Sequence, residues 1–72
     1  MSSDNPTAAA VRAELARRRL TQSDAGTALR LSSTAVSRRL SGDVDFTVGE
    51  IRTLAAWLEV PVATLMQEAG AA

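Results

Sequence analysis

Apolar residues recur along this chain at helical spacing, and each recurring group follows a residue suited to capping a helix. Asn5-Pro6 is the first such start, with Asn as the cap and Pro at the first helical position; the helix it opens is expected to run to about Arg19. Val11 and Leu15 lie four apart on its inner face, and Arg12, Glu14 and Arg17 to Arg19 read as its polar remainder. Thr21, with Asp24 three residues on, makes a capping box for a short second helix ending near Leu29, whose inner residues are Ala25, Ala28 and Leu29. Ser32 caps a third helix over Ser33 to Ser41, with Leu31 and Val36 as its hydrophobic staple, and Gly42 is placed to end it in the left-handed conformation.

After the polar connection Gly42-Asp43-Val44-Asp45, the capping box recurs in Thr47 and Glu50, and Phe46 with Ile51 supplies the staple. Ile51, Leu54, Ala55 and Leu58 then give the i, i+3, i+4, i+7 stripe of a core-facing helix. Pro61 is expected as the first residue of a fifth helix, where Val62, Leu65 and Met66 close the core. No strand pattern or internal repeat competes, so the pattern predicts an all-α, compact five-helix globule. Residues 1–5 are expected to be a disordered lead-in, 6–67 the folded domain and 68–72 a frayed tail.

Composition narrows the chemistry. A chain of 72 residues has room for one core. It contains no Cys, His, Tyr or Lys, which leaves no thiolate, no imidazole base and no disulfide or zinc site. Glu14 and Asp24 have no paired carboxylate at helical spacing and no hydroxyl has a base beside it, so neither an enzyme, a cofactor nor a small-molecule substrate is expected. No apolar run approaches the roughly 18 residues of a membrane span and no secretion signal is visible, which predicts a cytoplasmic protein with no membrane partner. Formal net charge is zero. Its distribution is uneven: seven arginines stand against two acids from Arg12 to Arg39, and from Gly42 onward five acids face only Arg52. A fold that gathers the first half on one face would present an anion-binding surface.

Only about three residues, Arg30 to Ser32, separate the second and third helices, which forces a steep crossing, the geometry of a helix-turn-helix. The second helix of such a unit can enter a DNA major groove about 12 Å wide while the first crosses the backbone. From Leu20 to Met66 the chain resembles the Cro/CI-type, xenobiotic-response-element family of phage and bacterial helix-turn-helix repressors. The likeness rests on Leu20-Thr21-Gln22, Ser33-Thr34-Ala35-Val36-Ser37-Arg38, Leu40-Ser41-Gly42, Phe46-Thr47 and Leu54-Ala55-Ala56-Trp57-Leu58-Glu59-Val60. It implies a fold of the lambda-repressor-like DNA-binding type and an operator-binding transcriptional regulator, with double-stranded operator DNA as partner. Gln22 matches the family glutamine that touches a phosphate, and Ser33, Thr34 and Ser37 fall where the family reads bases. Arg38 is placed to take guanine O6 and N7 or to hold a phosphate, and Arg39 to hold a phosphate.

Three positions depart from the family pattern. Arg30 stands where the family has a turn glycine, so either it adopts positive φ at a cost of about 1 kcal/mol or the turn differs. Gly26 replaces an alanine, a change expected to be sterically harmless. Arg39 occupies an apolar position, where it must bury its stem and carry its head to solvent or phosphate. Trp57 lies one position off the inner stripe of its helix. It reads either as a core-rim residue or, with Val60 and Val62, as a homodimer contact. A rival to the regulator is a non-catalytic protein-interaction module, an antitoxin or adaptor, on the same fold; neutral charge and the Trp57 region favour it.

Overall fold

The computed structural model describes residues 5–66, and within them the chain is helical with no strand. Five helices follow in order: α1 (Pro6–Arg17), α2 (Gln22–Leu29), α3 (Ser33–Ser41), α4 (Val48–Leu58) and α5 (Val62–Leu65). The expected lead-in and tail fall outside the described residues, apart from Asn5, which is the ordered cap of α1.

Each of the first four helices begins on the cap the sequence marks. The Asn5 carboxamide oxygen accepts the Ala8 amide, Thr21 Oγ1 that of Asp24, Ser32 Oγ that of Ala35 and Thr47 Oγ1 that of Glu50, at 3.0 to 3.1 Å. In both boxes the acid reaches back to the capping residue's own N–H, Asp24 to Thr21 at 2.8 Å and Glu50 to Thr47 at 3.0 Å. Such caps contribute about 1 kcal/mol each.

The same four helices share one ending. A residue in the left-handed region donates to the carbonyl three positions back, and the next residue donates to the carbonyl five back, which together answer two terminal carbonyls. The pairs are Arg19 with Leu20, Arg30 with Leu31, Gly42 with Asp43, and Glu59 with Val60. Only one of the four is glycine; Arg19, Arg30 and Glu59 take φ of 57°, 60° and 60°. This corrects the expected end of α1. The hook at Arg19 stops the helix at Arg17 and turns Leu20 back toward the core. Arg30 does adopt positive φ, so the left-handed turn forms without glycine. At α5, Pro61 is extended and caps the helix from outside, with Val62 as its first residue.

The core takes Ala8, Val11 and Leu15 from α1, Ala25 from α2, Val36 and Leu40 from α3, Phe46 from the α3–α4 connection, the four stripe residues of α4, and Leu65 from α5. Leu54, Leu65, Val11 and Val36 are fully enclosed, so truncating either leucine should cost about 2–5 kcal/mol. Glu14, read from the sequence as part of the polar face, is instead buried at 6% exposure, with its carboxylate paired to Arg17 at 3.0 Å and to Arg18. Gly26 is also not a neutral replacement. A Cβ there would stand 2.9 Å from the Leu31 carbonyl oxygen, because the α2–α3 turn folds directly over it.

Candidate nucleic-acid interface

Register places the candidate side chains. With Val36 and Leu40 turned into the core, Ser33, Thr34, Ser37 and Arg38 fall on the outer side of α3, and all four are exposed. The cap at Thr21 sets Gln22 as the first residue of α2, also exposed. These five residues line a single open concavity of about 410 Å³.

Two helix N-termini meet at this concavity. The first intrahelical amide of α2 is that of Ala25 and of α3 that of Val36, so the N–H groups of Gln22, Ser23, Ser33 and Thr34 precede both ladders and have no intrahelical acceptor. Each end carries roughly half a positive charge, which favours an anion. The two ends are joined by the Gln22 side chain, whose Nε2 donates to the Ser33 carbonyl at 3.1 Å. At the α2 end, the Thr21 backbone amide and then its hydroxyl hold the Asp24 carboxyl below its ordinary value, so it stays ionised and committed to its cap.

The arginines divide into two sets. Arg17 and Arg18 are paired to Glu14, Arg39 to Glu50, and Arg12 donates to the Leu40 carbonyl at the end of α3. Among the described residues Arg19, Arg30, Arg38 and Arg52 have no carboxylate partner. Arg38 is the one of these that lines the concavity.

Arg39, the sixth candidate, is not brought to the concavity. Its side chain is 17% exposed, donates through Nε to Glu50 Oε1 at 2.9 Å, and donates through Nη1 to the Ala35 carbonyl at 3.1 Å. Its head therefore turns to a carboxylate on α4, where the sequence suggested solvent or phosphate. Sequence reasoning missed this partner. The available signal was a polar residue at an inward position, which requires a buried partner for its charge. Trp57, Val60 and Val62 are half-buried and pack against the core, whereas the exposed large apolar residues among those described are Val44, Val48 and Met66.

Among the described residues no group of three acidic, His or Cys side chains is arranged to hold a metal, and no helix is long and apolar enough to cross a membrane. Compared with known proteins, the chain matches no family model, no curated protein and no solved structure.

Proposed function

We propose that this protein is a sequence-specific double-stranded DNA-binding regulator, a Cro-like repressor that lays α3 in the major groove of its operator. One observation carries the reading. Five exposed side chains from two helices, Gln22, Ser33, Thr34, Ser37 and Arg38, line one concavity at the meeting of two helix N-termini, and the guanidinium among them has no carboxylate partner among the described residues. On this reading α2 and α3 are a helix-turn-helix. The α2 terminus and Gln22 hold a phosphate, and the three hydroxyls and Arg38 meet base edges. Short hydroxyls reach bases partly through water, so Arg38 supplies the strongest direct discrimination. Repression by occupancy requires no catalysis or cofactor, and the regulator acts in the cytoplasm. A two-fold homodimer would bind half-sites about one helical turn apart.

Selection from a random DNA pool at two salt concentrations tests the proposal. A shared motif is expected, with affinity falling roughly a hundredfold between about 50 and 200 mM salt for three to four phosphate contacts. Arg38→Glu is expected to abolish binding while the helical circular dichroism is retained. An empty selection at low salt overturns the reading.

The second reading, a protein-interaction module, draws on the exposed Val44 and Val48, which lie outside the concavity. It predicts binding that tolerates salt and is insensitive to Arg38→Glu.

A further inference from the structure

The outer side of α3 is the candidate interface, and the rest of the helix is gripped by one polar side chain from each of three neighbours. Gln22 of α2 holds the Ser33 carbonyl at its start, Arg12 of α1 holds the Leu40 carbonyl at its end, and Glu50 of α4 holds Arg39 between them. The third grip differs from the other two. It joins two charges, each with a side chain only 17% exposed, and each charge is used twice. Arg39 binds Glu50 through Nε and the Ala35 carbonyl of its own helix through Nη1, which fixes the plane of the guanidinium against the α3 backbone. Glu50 Oε1 accepts both Arg39 Nε and the Thr47 amide, at 2.9 and 3.0 Å. The oxygen that starts α4 is thus the oxygen that fixes α3.

Largely buried ion pairs add little net stability over an apolar side chain of similar volume, because desolvation offsets the attraction. An aliphatic pair at positions 39 and 50 would fill the same space as well. It would leave the roll of α3 to apolar packing and to the single bonds from Gln22 and Arg12 at its two ends. We infer that Arg39 and Glu50 are positioning residues that fix the rotation of α3, and thereby determine which base edges Ser33, Thr34, Ser37 and Arg38 meet. This rests on the DNA-binding reading for its consequence, but not for the rotation itself.

The test uses the whole chain carrying Arg39→Met, Arg39→Lys or Glu50→Gln. Discrimination is read as the ratio of affinities for the selected duplex and a scrambled one at fixed salt. Arg39→Met is expected to stay folded and to lower that ratio about tenfold, the scale of one misdirected base contact. Arg39→Lys, which keeps the charge but lacks the planar fork that reaches Glu50 and the Ala35 carbonyl from two nitrogens, should restore part of it. Glu50→Gln keeps the oxygen that Thr47 and Arg39 share but removes its charge, which weakens the grip on Arg39 away from the concavity and should lower the ratio too. Equal loss of affinity for both duplexes in Arg39→Met, or an unchanged ratio in Glu50→Gln, overturns the inference. A readout without DNA separates the two proposals. The α3 amide resonances should shift and broaden across the helix in Arg39→Met, and shifts confined to the neighbours of residue 39 overturn the positioning role even if the parent selects no DNA.

Discussion

Gln22 donates its side-chain amide to the Ser33 carbonyl 3.1 Å away, joining the first residue of α2 to the first residue of α3 across eleven positions of sequence. The bond uses one of the two amide hydrogens of an exposed side chain and leaves the second, with the carboxamide oxygen, for another partner. One side chain thus both spaces the two helix ends and presents a donor between them.

Gln22→Glu separates these roles. A carboxylate cannot donate to Ser33, but it suits the first turn of a helix, so thermal stability should change by no more than about 0.5 kcal/mol. Affinity for duplex DNA should fall at least tenfold, through loss of the donor and repulsion of phosphate. Melting curves and fluorescence anisotropy measure the two effects; unchanged DNA affinity in this variant would remove Gln22 from the interface.

The α2–α3 turn predicts opposite outcomes at neighbouring sites. Gly26→Ala drives a Cβ to 2.9 Å from the Leu31 carbonyl, a backbone atom that cannot swing aside, and should destabilise the fold by about 1–3 kcal/mol. Arg30→Gly relieves a left-handed arginine at φ 60° and should stabilise by up to about 1 kcal/mol, part of the gain being offset by the freer unfolded chain. Urea unfolding of both variants checks the signs.

Two capping carboxylates make stability depend on acid. The Thr21 backbone amide and then its hydroxyl lower the Asp24 carboxyl. Burial pushes the Glu50 carboxyl up, but the Thr47 amide and then Arg39 outweigh it, and the net direction is down. A carboxyl lowered in the folded state adds stability above its unfolded value, and that stability drains away as pH falls through the lowered one. The melting temperature should hold between pH 7 and about 5, then fall below about 4. Glu50→Gln should flatten that fall; an equally steep acid limb would show that Glu50 does not contribute to it.

Asp43 is exposed just past the end of α3 and has no ion-pair partner among the described residues. If α3 lies in a groove, this charge stands near the phosphate backbone. Asp43→Lys should raise affinity for all duplexes and steepen the salt slope by about one to two, leaving the selected motif unchanged.

Much of this molecule is legible in its sequence because helix starts are chemically marked. Asn5, Thr21, Ser32 and Thr47 carry the oxygen that makes the cap, and from those starts the phase of Val36 and Leu40 fixes which residues of α3 face outward. Helix ends carry no such mark when an ordinary L-residue takes the left-handed turn, so the hooks at Arg19 and Glu59 leave no trace in composition. Partnerships between elements are equally silent. Nothing local to Arg39 names Glu50, and the burial of Glu14 follows from its neighbours in space.

The hooked endings also govern where the chain can change length. Between α2 and α3, Arg30 and Leu31 bond back to α2 and Ser32 caps forward onto α3; between α4 and α5, Glu59 and Val60 bond back and Pro61 accepts forward. No residue in these connections is spare, so a single insertion would break either a hook or a cap and shift the register of everything downstream. The α3–α4 connection differs. Its hook is complete by Asp43, the Val44 amide returns to the Arg38 carbonyl, and among the described residues Asp45 makes no backbone bond before Phe46 re-enters the core, though its carboxylate accepts the Asn5 side-chain amide at 3.2 Å. Added residues, or a grafted peptide, are therefore best accommodated between Val44 and Asp45, where only the exposed Asn5–Asp45 side-chain bond is at stake, in the segment that follows the proposed reading helix.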